Sequence, residues 1–186
     1  MKRLFDLLLV LLATLLLICP LLIVAFFVKI TSKGSILFWS DRVGRKNKIF
    51  RMPKFRTMSI GTPVVATHLL KNASMHLTPI GNFLRKSSLD ELPQLWNIFT
   101  GDMSFVGPRP ALYNQNDLIL HRAEHGVDDL VPGLTGWAQV NGRDELSIFE
   151  KVKFDVEYLK HRNFSFDLKI LWMTLIKVTV RDGVSH

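Results

Sequence analysis

Asp90 and Glu91 are adjacent carboxylates in the segment Arg85-Lys86-Ser87-Ser88-Leu89-Asp90-Glu91-Leu92-Pro93, which also carries two cations. Two readings stand for such a pair. Acidic residues in the first turn of a helix stabilise it by about 0.3–1 kcal/mol through the helix dipole, and this asks nothing more of them. Alternatively, one carboxylate attacks a phosphorus while the other holds Mg²⁺, a hard cation that takes one or two carboxylates and completes its shell with phosphate oxygens. Gly107-Pro108-Arg109-Pro110 adds weight to the second, because prolines on both sides of Arg109 reduce the entropy lost when its guanidinium clamps a phosphate. Lys54 and Arg56 bring further positive charge suited to a phosphate or to lipid headgroups. Trp137, Gln139, Asn141 and Arg143 fall in the run Gly136–Arg143, a palette for a base, a ribose and a phosphate. A turn built around a buried Trp uses the same residues.

These groups must be held by short elements. Residues 36–39 and 48–52 read as an extended pair joined by a turn containing Gly44, and residues 59–77 as a loop with a short helix. Thr78-Pro79 reads as a cap that opens a helix through about Lys86. Ser88 and Glu91 fit a capping box for a second helix, with Leu92, Leu95, Trp96 and Phe99 at helical spacing up to Gly101. Met103–Val106 reads as a strand, Ala111 to about Glu124 as helix, and Pro132–Gly136 as a turn-rich loop leading into Trp137–Val140. Helices over about 147–160 and 167–180 close the chain, the last either lying in a membrane interface or completing the core. The expected fold class is α+β and mostly helical, with short strands and amphipathic helices around a small catalytic domain over residues 31–186.

Residues 1–30 are different. From Leu7 to Val28 there is no charged residue, which meets the length of about 20 residues needed to cross a bilayer. The stretch is longer than the 7–15 residues usual in a signal peptide, and no small-residue cleavage site follows it. Pro20, after Cys19, removes one helical hydrogen bond and predicts a kink, so the segment either spans or folds into a V that enters and leaves on one face. Basic residues at both ends, Lys2-Arg3 and Lys29 with Lys33, favour the V.

The net charge of +8 sits almost wholly just after this segment, where Lys29, Lys33, Arg42, Arg45, Lys46, Lys48, Arg51, Lys54 and Arg56 face only Asp41. Such a collar is drawn to anionic phospholipid. With no zinc-finger or RNA-recognition signature, nucleic acid is not an expected partner. The lone Cys19 excludes an intramolecular disulfide framework and a Cys-based zinc site. The six histidines show no HExxH spacing, and no Walker A, G-x-G-x-x-G or D-x-D motif occurs. At 186 residues the chain has room for one core.

Taken in order, Lys2–Asp6, Lys54–Met58, Leu77–Gly81, Asp90–Leu95, Gly101–Pro110 and Pro132–Trp137 resemble the monotopic phosphoglycosyl transferases, also called bacterial sugar transferases, in their small form. The resemblance implies transfer of a sugar-1-phosphate from a UDP-sugar donor to a polyprenyl phosphate acceptor, usually undecaprenyl phosphate, with release of UMP. It implies a ping-pong course through a covalent sugar-phosphate on Asp90, with Glu91, beside Asp90, binding Mg²⁺. Arg109 matches the family's phosphate-binding Arg, and Arg85 and Lys54 match basic residues near its site. Pro20 matches the break in the family's re-entrant helix, although Cys19 stands where serine is expected. The implied location is the cytoplasmic face of the bacterial inner membrane, in glycoconjugate or polysaccharide assembly. Two rivals remain: a membrane-anchored scaffold of the same fold and a Mg²⁺-dependent lipid diphosphate hydrolase. The sugar, the glycan pathway and the oligomeric state, a homo-oligomer included, are left open by the sequence.

Overall fold

The computed structural model describes residues 2–65, 73–142 and 145–180, with side chains to Val178 in the last helix. The uncharged stretch forms helix α1, Lys2–Thr31, with Pro20 inside it. It is long and apolar enough to cross a membrane. Its two ends dock on the rest of the chain. Asp6 and Val10 are buried near its start and Val24 and Val28 near its end, while no residue between Val10 and Val24 is buried. Leu11, Leu12, Leu15, Leu16, Leu22 and Ile23 are exposed along that middle. An apolar surface of this extent marks a face made for something other than water.

The expected hairpin is present and longer than predicted: β1, Leu37–Val43, pairs antiparallel with β2, Ile49–Phe55. The turn between them contains Lys46 and Asn47, both at positive φ. After residues 66–72, which lie outside the described part of the 59–77 loop, a 3₁₀ turn covers Ala73–His76. Helix α2, Gly81–Lys86, starts later than the Thr78-Pro79 signal implied, and the Thr78 hydroxyl caps nothing.

The capping box expected at Ser88 is also absent. Ser88 is left-handed (φ 55°) and makes no side-chain cap, Leu89–Gln94 form a 3₁₀ segment containing Pro93, and α3, Leu95–Thr100, begins only after it. Proline has no N–H to contribute to a longer ladder, which accounts for the tight segment before α3. A capping box does form at Ser147 and Glu150.

Strand β3 is Ser104–Val106. The helix expected from Ala111 is instead β4, Ala111–Leu112, then α4, Asn116–Glu124. β4 extends the hairpin into a sheet of order β2-β1-β4. The turn-rich stretch after Pro132 becomes β5, Gly133–Thr135, parallel to β3, and a short helix α5, Trp137–Val140. Helices α6, Ile148–His161, and α7, Phe164–Val180, complete the chain, α7 beginning three residues before its expected start at 167. The mostly helical α+β architecture thus holds.

The main core joins Val10, Met52, Ile98, Met103, Val127, Tyr158 and Ile170, so α7 contributes to it. The core expectation for this helix is met, while its other side exposes Leu168, Trp172, Leu175 and Ile176. A second cluster packs Val24 and Val28 against Phe55 and Leu84, with Leu89 at its edge. Each of the last three is the chain neighbour of a site candidate: Lys54, Arg85 and Asp90. The end of α1 therefore floors the site.

Candidate active site

A cleft of about 1030 Å³ opens over this floor and is lined by Lys54, Arg85, Asp90, Glu91, Arg109 and Gln139, among others. It has the volume of a site for a sizeable small molecule. Its walls come from β1 and β2, the 3₁₀ segment Leu89–Gln94, the Pro-flanked turn and the start of α5.

Glu91 organises the charges. Its Oε1 accepts from Lys54 Nζ at 2.7 Å and from Arg109 Nη2 at 2.8 Å, and the carboxylate is 9% exposed. Burial lowers the Lys54 pKa, with Glu91 and Asp90 opposing that shift. Asp90, 7% exposed, is pushed up to about 6, chiefly by burial. Glu91 adds to the rise, while Lys54, Arg85 and Arg109 work against it. At neutral pH Asp90 is thus ionised, poorly hydrated and ringed by cations, the condition of an activated carboxylate nucleophile.

The Arg109 turn is set by backbone contacts rather than by proline alone. Gly107 N–H donates to Thr135 O and Gly133 N–H to Pro108 O, each at 2.9 Å. A Cβ on Gly133 would stand 2.1 Å from the Gly107 nitrogen, and one on Gly136 2.1 Å from the Gly107 oxygen, so only glycine permits this approach. On its other side, Arg122 Nη1 donates to the Arg109 carbonyl at 2.8 Å while Nε and Nη2 grip Asp155 Oδ2 at 2.9 and 2.7 Å. Asp155 is 1% exposed.

Gln139 lines the cleft and donates from Nε2 to Leu134 O, while its buried Oε1, close to Gly136, has no partner among the described residues. Asn141 is placed differently: its Nδ2 donates to Trp137 O, and it does not line the cleft. Trp137 is half-buried and packs against Phe154 and Phe166 with Lys169 over its ring, nearer to the plainer reading of that loop as a turn built around a Trp. Arg143 lies outside the described residues. Arg42 and Arg122 line the cleft without having been singled out beforehand. For Arg42 a signal existed in the alternation Phe38, Ser40, Arg42, which puts it on one face of a strand. For Arg122 there was none beyond its charge.

The sequence model of the bacterial sugar transferases matches residues 1–181. The chain belongs to that family. It is 40% identical to the UDP-glucose:undecaprenyl-phosphate glucose-1-phosphate transferase of Escherichia coli K12 over 95% of its own length but only 40% of that protein's. It thus spans about two fifths of that longer relative. The uncharacterized sugar transferase EpsL of Bacillus subtilis is also 40% identical, over 100% of this chain and 91% of EpsL. The exopolysaccharide production protein ExoY of Sinorhizobium fredii is 36% identical over 98% and 87% of the two chains. The family match takes in both the apolar helix and the residues that line the cleft.

Proposed function

We propose that the chain transfers a sugar-1-phosphate from a UDP-sugar to a polyprenyl phosphate, in two displacements through Asp90. The observation that carries this reading is the buried, ionisable Asp90 beside a Glu91 already bound to two cations, at the base of a cleft of about 1030 Å³. A carboxylate oxygen of Asp90 attacks the sugar-bearing phosphorus. The bond to the bridging oxygen breaks and its electron pair leaves with UMP. An oxygen of the polyprenyl phosphate then attacks the same phosphorus, and the bond to Asp90 breaks to return the carboxylate. Arg109 and Arg85 orient and neutralise the phosphoryl oxygens, which is most of what such a transfer requires. Gln139, which lines the cleft, contacts the donor.

The donor set suits Mg²⁺. Asp90 and Glu91 are two neighbouring buried carboxylates, and the described residues contain no group of three or more His, Cys, Asp or Glu that would make a protein-only cage. An ion that takes most of its shell from phosphate and water fits that set, with Glu91, beside Asp90, holding it. When bound, it offsets phosphate charge.

The acceptor is a lipid, so the cleft must meet a membrane surface. Both ends of α1 return to the same body while its middle, around Pro20, carries no charge and exposes mostly apolar residues. This supports a helix that dips into the cytoplasmic leaflet of the inner membrane and comes back, rather than one that carries its start across. Exposed Trp96 and Phe99 on α3 and Trp172 on α7 are the aromatic residues expected at that interface.

The test is intact mass of the detergent-solubilised chain after incubation with Mg²⁺ and UDP-sugars, without lipid, beside Asp90→Asn. A gain of one sugar phosphate, absent in the variant, is expected. UMP release that needs the lipid and leaves no adduct would overturn the covalent course, and hydrolysis without any acceptor would favour the hydrolase.

A further inference from the structure

Strand β1 points Phe38, Ser40 and Arg42 to the face on which Lys54 of β2 also stands, and all line the cleft. Arg42 Nε donates to Ser40 Oγ at 3.0 Å and Nη1 to the Pro110 carbonyl at 3.2 Å. Both acceptors are neutral. The second ties Arg42 to the turn that carries Arg109, so two guanidiniums share a corner of the cleft. The acid nearest that corner is Glu91, whose Oε1 is already taken by Lys54 and Arg109. Burial and repulsion from Arg109 lower the Arg42 pKa to about 10, which leaves it charged at neutral pH. Among the described residues Arg42 itself bonds only neutral acceptors, and a phosphate entering this corner is the natural complement of two arginines.

The order of charges along the cleft says which phosphate. Arg109 Nη2 donates to Glu91, the chain neighbour of Asp90, and Arg42 Nη1 donates to Pro110, the chain neighbour of Arg109. Arg109 thus links the Asp90-Glu91 pair to the Arg42 corner. In-line displacement puts the nucleophile and the leaving oxygen on opposite sides of the phosphorus. A phosphoryl group against Asp90 has its leaving phosphate on the Arg42 side. The second displacement must open the bond to Asp90 from that same opposite side, so the incoming lipid phosphate takes the place just vacated.

We propose that Arg42 and Arg109 form one phosphate-monoester subsite, filled first by the departing nucleoside monophosphate and then by the phosphate of the lipid acceptor. This rests on the two displacements through Asp90 proposed above. In the first, the electron pair of the broken P–O bond ends on the monophosphate oxygen beside Arg42. In the second, the lipid phosphate supplies the pair for the new P–O bond and Asp90 recovers its own.

The test is equilibrium binding of UMP to the full chain in phospholipid nanodiscs, without sugar donor. Undecaprenyl phosphate should displace UMP and undecaprenol should not. Arg42→Gln should weaken UMP and undecaprenyl phosphate alike by about tenfold, or ~1.4 kcal/mol, and leave uridine binding unchanged. Arg42→Lys, which keeps the charge and carries the test if the first variant fails to fold, should weaken both by less. Simultaneous binding of UMP and the lipid, or a loss confined to one ligand or seen for neither, would overturn the shared subsite. Failure of the underlying reading is read separately, as absence of a sugar-phosphate adduct on the unsubstituted chain.

Discussion

Lys2 Nζ lies 2.6 Å from Asp167 Oδ2, joining the first turn of α1 to the first turn of α7. The same ammonium donates to Tyr158 Oη at 2.8 Å and to the Val106 carbonyl at 2.9 Å, and Tyr158 donates to Asp167 Oδ1 at 2.6 Å. Burial, followed by Asp167, pushes the Tyr158 pKa above its ordinary value, so it acts only as a neutral donor. Arg3 adds hydrogen bonds to the last carbonyls of α3, at Ile98 and Phe99. The entry of the apolar helix is therefore fixed by charge, and its exit by packing of Val28 on Phe55 and Leu84.

Replacing Lys2 with Met leaves Asp167, 6% exposed, without its cation. Because Lys2 itself is partly solvated, the expected loss is about 1–2 kcal/mol rather than that of a fully buried pair. Thermal unfolding in detergent measures it. Lys2→Arg should recover part of the loss, and Asp167→Asn combined with Lys2→Met should cost less than the sum of the single changes. Strict additivity would mean that the contact contributes nothing.

Asp90→Asn should abolish activity and stabilise the fold. The folded-state pKa of Asp90 is raised from 3.8 to about 6, so the folded chain holds this proton more tightly than the unfolded one. The contribution of Asp90 to stability is therefore greatest below its unfolded value and is lost as pH rises towards 6. At pH 7.5 the neutral amide escapes that loss, and a gain of about 1–3 kcal/mol, or roughly 2–12 °C in melting temperature, is expected. Near pH 3 the two proteins should melt together. A variant that melts lower at pH 7.5 would show that the carboxylate stabilises the fold.

The order of the motifs made the chemistry readable before the geometry. Asp90, Glu91, Lys54, Arg85 and Arg109 all line the one cleft, although they are spread over more than fifty residues of chain. Local boundaries were less legible because they depend on partners elsewhere. Ser88 matches a helix cap in spacing but has a left-handed backbone. Ala111 and Leu112 lie in a helix-like pattern yet pair with Arg42 and Val43 of β1. Asn141 and Trp137 shared the composition of a nucleotide site, and the backbone and core claimed them instead. The Arg122 support of Arg109 joins residues on α4 and α6 to a turn, a tertiary arrangement with no local pattern.

That support makes Asp155 a positioning residue. Asp155→Ala leaves Arg122 buried without its acid and should cost about 3–5 kcal/mol. Burial raises the Asp155 pKa, and Arg122 opposes that shift. Arg122→Lys keeps a charge but cannot reach both Asp155 and the Arg109 carbonyl with a planar fork. In that milder variant the expected effect is a several-fold rise in donor KM with kcat less altered. A kcat loss at unchanged KM would mean that Arg109 acts after donor binding, in the displacement itself.

The pH dependence of adduct formation follows from the same carboxylate. Only ionised Asp90 can attack phosphorus, so the single-turnover rate at saturating UDP-sugar should fall about tenfold per pH unit below the Asp90 pKa and level off above it. With that pKa at about 6 in the free site, the midpoint should lie near there. Bound Mg²⁺ favours the ionised form and should move the midpoint down, and Lys54→Met, which removes the cation that acts most strongly on Asp90, should move it up. Rapid-quench mass spectrometry between pH 4.5 and 8 would show this, with the extent of loading at long times as the control for unfolding. A flat profile across pH 5–7 would place the nucleophile elsewhere, and a rate that falls as pH rises through 6 would require a protonated group in the first displacement.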